Sequence, residues 1–129
     1  MKRILHTMLR VSDLQRSVTF YTEVMGMKLL RMLEQDDERY TLAFLGYGEE
    51  TETSVLELTY NHSVSEYEMG NAYGHIAVGV KNIVHTVAEI KKLGGVFSLD
   101  ATPLKGSNEV IAFVTDPDGY QIELIERPV

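Results

Sequence analysis

The chain has 129 residues, 44% apolar and 24% charged, with a formal net charge of −7 and no cysteine: enough for one domain, too little for two. Without cysteine there is no disulfide framework, thiolate nucleophile or cysteine metal cluster, and an acidic surface repels phosphate, so neither nucleic acid nor an anionic membrane is an expected partner. No apolar run approaches the ~20 residues of a bilayer span, and Met1-Lys2-Arg3-Ile4-Leu5-His6 has no apolar signal-peptide core, so a cytoplasmic location is expected.

Residues 4–11, rich in Leu, Thr and Val, read as a strand. Asp13 suits a helix N-cap, and Leu14, Val18, Tyr21 and Val24 or Met25 follow at helical spacing on one face. Gly26 closes that helix, since glycine adopts positive φ at little cost. Strands follow near 27–34, 39–47 and 53–60, with turns at Asp36-Asp37 and from Gly46 to Glu50. Gly70-Asn71-Ala72 is the expected joint. A strand then opens at His75 and runs to Val80. Asn82 caps a helix carrying Ile83, Val87, Ile90 and Leu93, ended by Gly94-Gly95. Strands near 95–99, 109–115 and 120–126 complete the chain, the last two joined by the tight-turn signal Asp116-Pro117-Asp118-Gly119.

The two halves repeat one another. At one constant offset His6 meets His75, Val11 meets Val80, Asp13 meets Asn82, Val18 meets Val87, Gly26 meets Gly95, and Ala43-Phe44 meets Ala112-Phe113. Leu56-Glu57-Leu58 matches Ile122-Glu123-Leu124 at a smaller offset, so one loop of the second half is shorter. Each half reads as strand, helix and three strands. The expected fold is therefore α+β: two βαβββ modules in one domain spanning 1–129, about 1–69 and 70–129, with mostly antiparallel curved sheets.

Alternation places His6, Met8 and Arg10 on one face of their strand, and His75, Ala77 and Gly79 on the equivalent face. Glu57 and Glu123 each stand among apolar neighbours in a final strand, where a buried carboxylate without a partner is costly. Singly, each reads as an outward-pointing residue of a half-solvated strand. The repeat alters that reading, because each module supplies one His and one Glu, and pseudo-two-fold symmetry would bring all four around one axis. Imidazole and carboxylate suit a borderline divalent metal, and four ligands leave open positions for two substrate oxygens.

Several stretches then carry a family resemblance: Leu5-His6-Thr7-Met8-Leu9-Arg10-Val11, Ser17 to Tyr21, Glu57-Leu58-Thr59-Tyr60-Asn61, Ala72-Tyr73-Gly74-His75-Ile76-Ala77 and Asp116-Pro117-Asp118-Gly119-Tyr120-Gln121-Ile122-Glu123-Leu124. Over nearly its whole length the chain resembles glyoxalase I (lactoylglutathione lyase) of the vicinal oxygen chelate superfamily. The resemblance implies that His6, Glu57, His75 and Glu123 are metal ligands, in sites shared between the subunits of a homodimer with two ligands from each chain. It implies isomerisation of the hemithioacetal of methylglyoxal and glutathione to S-lactoylglutathione through a metal-stabilised enediolate, a detoxification. Glu123 would be the base, with Glu57 as ligand and possible partner in moving the proton. Arg10 and Asn61 match positions that contact the γ-glutamyl part of glutathione, and Lys105, on a loop, would hold the glycyl carboxylate. Nickel is favoured as the metal, with cobalt or zinc as alternatives.

The sequence departs from the family at His62-Ser63, where many relatives carry an aromatic residue and a glycine, which bears on the shape of the thiol pocket. His62 and His85 are expected to lie outside the ligand set. The alternatives are another enzyme of the superfamily, an epimerase or a thiol transferase, and a non-catalytic ligand-sequestering module. Glu57 separates them: an epimerase usually has a neutral amide there, thiol transferases use two His and one Glu, and sequestering proteins generally lack the full ligand set.

Overall fold

The patterning folds as two successive units, Met1–Glu68 and Met69–Val129, in a computed structural model that describes residues 1–127. Pro128 and Val129, inside the expected domain bounds, lie outside the described residues. The first unit comprises β1 (His6–Arg10), α1 (Leu14–Thr19), a π-helical turn (Phe20–Val24), β2 (Lys28–Gln35), β3 (Tyr40–Gly46) and β4 (Val55–Asn61). Its sheet runs β1-β4-β3-β2, with β1 parallel to β4 and the other pairings antiparallel. The second unit repeats this with β5 (His75–Val80), α2 (Ile83–Lys92), β6 (Val96–Pro103), β7 (Val110–Thr115) and β8 (Gln121–Glu126), ordered β5-β8-β7-β6. Again the first and last strands are parallel, so each module ties its opening strand beside its closing one.

Both helices start where the sequence places them. The Asp13 carboxylate accepts from the Arg16 amide at 3.1 Å, and the Asn82 side-chain oxygen accepts from the His85 amide at 3.0 Å. Each such cap contributes about 1 kcal/mol. The first helix departs from expectation after Thr19. There the ladder widens, the Met25 amide donating to the Phe20 carbonyl at 3.0 Å, while the Thr22 hydroxyl donates to the Val18 carbonyl at 2.7 Å. Phe20, Tyr21 and Met25 are all buried along this wider turn.

The helices end on Gly26 (φ +77°) and Gly94 (φ +95°). The structural counterpart of Gly26 is therefore Gly94, one residue before the match made by sequence. Gly95 is required for another reason: a Cβ there would lie 2.3 Å from Ile90 Cγ2 and 2.9 Å from the Ile90 carbonyl oxygen. β6 runs past its expected end to Pro103, with register breaks between Phe97 and Leu99 and between Leu99 and Thr102. Those bulges erase the two-residue alternation, and an edge strand tolerates Pro103 at its end.

In the first unit Leu9, Ala43, Leu45, Leu56 and Leu58 are buried on one side of the sheet, where α1 meets β4. In the second, Ala112, Val114, Ile122 and Leu124 are buried with Ile83, Val87 and Ile90 of α2. At about 25 cal/mol per Å² of apolar surface this burial is the main stabilising term. It also fixes register: a slip by one residue would turn each buried row to the opposite face. That opposite face is left for chemistry.

Tyr47, just beyond β3, is 54% exposed as a residue, yet its hydroxyl is the covered end and donates to the Met25 carbonyl at 2.7 Å. Burial pushes its pKa up to about 12. A folded pKa raised above the unfolded value of about 10 gives stability that is complete below pH 10 and lost as pH rises toward 12. An alkaline absorbance titration should show a late-ionising tyrosine that Tyr47→Phe removes, with a loss of about 1 kcal/mol in urea unfolding. An unchanged late phase in that variant would assign it elsewhere.

Candidate metal centre

Because β1 lies parallel to β4 with Met8 opposite Glu57, alternation puts His6 and Glu57 on the same face, away from the buried row. His6 Nε2 and Glu57 Oε1 are 3.5 Å apart, their side chains 40% and 14% exposed. The Thr59 hydroxyl, two residues along β4, donates to Glu57 Oε2 at 3.2 Å. Phe44, opposite Glu57 on β3, meets the His6 ring edge-on with centroids 5.8 Å apart. The Arg31 guanidinium lies 3.7 Å from the centroid of Phe44, and its Nε and a terminal nitrogen donate to the two Glu50 oxygens at 2.7 and 3.1 Å. Those hydrogen bonds hold the Glu50 carboxyl below the usual carboxylate range. In return Glu50 chiefly, and Glu57 through its charge, keep Arg31 more firmly protonated.

The second unit builds the same pair. Ala77 lies opposite Glu123, and His75 Nε2 is 3.1 Å from Glu123 Oε1, with the side chains 43% and 12% exposed. Phe113, opposite Glu123 on β7, meets the His75 ring edge-on at 5.2 Å. Where Arg31 stands opposite Phe44, Leu99 stands opposite Phe113. The polar neighbour here is Gln121, in register with His75, which accepts from the Ser98 hydroxyl at 2.6 Å and donates to the Thr115 hydroxyl at 2.9 Å.

Each unit thus presents one imidazole nitrogen and one carboxylate oxygen, side by side, with the glutamate mostly buried and the histidine half open. The separations are close to the ~3 Å between adjacent ligands whose bonds to one divalent ion are about 2.1 Å. This donor set fits such an ion, two ligands at a time. Among the described residues no group of three or more His, Cys, Asp or Glu side chains comes together.

Arg10 ends β1 on the His6 face and pairs in register with Thr59. Asn61 ends β4 on the Glu57 face, its amide donating to the Tyr67 hydroxyl at 3.2 Å. Lys105 lies on the exposed loop between β6 and β7 in the second unit. His62 contacts the Thr41 hydroxyl at 2.9 Å and packs on Tyr60, and His85 pairs with Glu89 along α2, so neither joins the His6–Glu57 or His75–Glu123 pair. Thr59, Phe44, Phe113, Arg31 and Glu50 were not anticipated as parts of the site. The repeated Ala-Phe pair was the signal for the two phenylalanines; nothing in the sequence marked the ion pair.

Residues 3–124 match the model of the glyoxalase/bleomycin resistance protein/dioxygenase superfamily. The chain is 60% identical over 124 residues to the lactoylglutathione lyase of Salmonella typhimurium, covering 96% of this chain and 92% of that one. It is similarly 52% identical to the lactoylglutathione lyase of Neisseria meningitidis, covering 97% and 91%. Among solved structures, glyoxalase I from Zea mays superposes with a TM-score of 0.95 at 46% identity, over 98% of this chain and 45% of that one, so the chain spans about half the maize enzyme. The trypanothione-dependent glyoxalase I of Leishmania major superposes with a TM-score of 0.86 at 49% identity, over 98% and 87%. With two βαβββ units, a His–Glu pair in each, and this similarity along nearly its full length, the chain belongs to the glyoxalase superfamily and within it to the glyoxalase I (lactoylglutathione lyase) enzymes.

Proposed function

We propose that this lyase isomerises the hemithioacetal of methylglyoxal and glutathione to S-lactoylglutathione, with His6, Glu57, His75 and Glu123 as ligands of one divalent metal. The observation that carries the ligand assignment is the paired geometry: two His–Glu contacts, 3.5 and 3.1 Å, at equivalent places in the repeated units. Each unit offers two donors, and the resemblance to glyoxalase I implies that a four-ligand site takes the first pair from one subunit and the second from its partner, in a homodimer. The metal would supply Lewis acidity toward two neighbouring substrate oxygens. Nickel is the first choice and cobalt the second, with zinc third; imidazole and carboxylate accept all three.

Glu123 takes the proton from the carbon bearing sulfur and returns it to the adjacent carbon, while the hydroxyl proton of the first carbon passes to the oxygen of the second, so no proton or electron is gained or lost overall. Its side chain is only 12% exposed, with Phe113 opposite, which limits the access of water to that proton. Glu57 serves as ligand, its second oxygen held by Thr59. Arg10, Asn61 and Lys105 would hold the carboxylate ends of the thiol, Arg10 by its bidentate fork. The acidic, cysteine-free chain fits an enzyme of the reducing cytoplasm, and among the described residues no helix is long and apolar enough to cross a membrane.

The test is metal-stripped protein, assayed for thioester formation from methylglyoxal and glutathione after adding nickel, cobalt or zinc in parallel. Stripped protein should be inactive, nickel and cobalt should restore turnover, and zinc should restore little. Stoichiometric uptake with no turnover would turn the question to the thiol, and no uptake would overturn the ligand set.

A further inference from the structure

The two His–Glu pairs are supported differently, and the difference lies in a loop. Between β3 and β4 the chain runs from Tyr47 to Ser54, longer than the Asp116–Tyr120 turn that joins β7 to β8. The additional length brings Glu50 back over the sheet to Arg31. The loop is itself fastened, since Arg3 donates to the Glu50 carbonyl at 2.6 Å and to the Thr53 carbonyl at 3.3 Å. The two hydrogen bonds to Glu50 orient the Arg31 side chain with its flat guanidinium on the Phe44 ring. Phe44 in turn sets the edge against which the His6 imidazole rests. In the second unit Leu99 takes the place of Arg31, and the polar brace beside His75 is the Ser98–Gln121–Thr115 chain.

We infer that Arg31 and Glu50 are positioning residues, which fix the His6 imidazole through Phe44 and so hold the first-unit ligands in metal-binding geometry. The inference rests on the ligand set proposed above. Arg31 reaches His6 across the Phe44 ring, and Glu50 acts through Arg31. Groups that orient a ligand from behind typically change metal affinity by 10- to 100-fold when removed. Val55, in register with His6, offers no polar substitute for the lost brace, unlike Gln121 beside His75.

The experiment is cobalt(II) titration of the full-length, metal-stripped protein in a chelator-buffered series. Affinity and the visible d–d spectrum are recorded for the wild type, Arg31→Leu, Arg31→Lys and Glu50→Gln, with thermal unfolding of each metal-free protein. Arg31→Leu and Glu50→Gln should each weaken cobalt binding by about tenfold and alter the d–d bands, with little change in metal-free unfolding. Arg31→Lys, which keeps the charge, should lie nearer the wild type. Wild-type affinity and spectrum in both disruptive variants would overturn the inference. So would losses that follow metal-free stability alone and are not relieved by lysine. Failure of the wild type to take up cobalt would overturn the ligand assignment first, and the positioning role with it.

Discussion

A Glu123→Gln variant is expected to fold normally and lose turnover by a factor on the order of 10²–10⁴, the range for removing a positioned general base. Gln matches Glu in shape, so the row Ala77–Glu123–Phe113 across the sheet keeps its packing. The amide oxygen can still face His75, but it cannot take a proton. Thermal unfolding and native mass should therefore stay near wild type while kcat collapses. Glu57→Gln should cost less, because Glu57 is assigned to ligation, with Thr59 holding one oxygen. Near-normal activity in Glu123→Gln would remove it as the base. Collapse in Glu57→Gln with activity kept in Glu123→Gln would exchange the two roles.

The features that sequence made legible are those governed by periodicity and by repetition. Two-residue alternation placed His6 with Arg10 and isolated Glu57 between Leu56 and Leu58, and the sheet keeps that arrangement because the alternate row is buried. Asp13 and Asn82 were legible because a cap depends on one side chain and the next turn of backbone. The π turn at Phe20–Val24 was not, since its residues suit an α-helix equally well. The far end of β6 was hidden by bulges, which shift the side-chain phase by one residue. The Arg31–Glu50 pair was least legible. Two exposed-type charges on a strand and a loop have no period, and their meeting depends on where the loop returns. The repeat did reveal the length difference in that loop, but length alone says nothing of what the loop delivers.

Mixing two inactive variants is expected to restore activity, and the expected amount tests how the ligands are shared. One chain would carry His6→Ala and Glu57→Gln, the other His75→Ala and Glu123→Gln. With sites shared between two subunits as proposed, each variant alone should be inactive, because every site in a homodimer of it would lack half the donors. The substitutions fall within separate units, Met1–Glu68 and Met69–Val129, so each chain keeps one complete His–Glu pair. In a mixed dimer with sites shared across a two-fold axis, one site receives both defective pairs and the other both intact ones. Unfolding and refolding an equal mixture should therefore give about a quarter of wild-type activity, since half the dimers are mixed and each has one working site. If each site drew all four ligands from one chain, mixing would restore nothing. Restored turnover with one nickel bound per mixed dimer would fix the sharing at the level of the ligands, independently of which glutamate moves the proton.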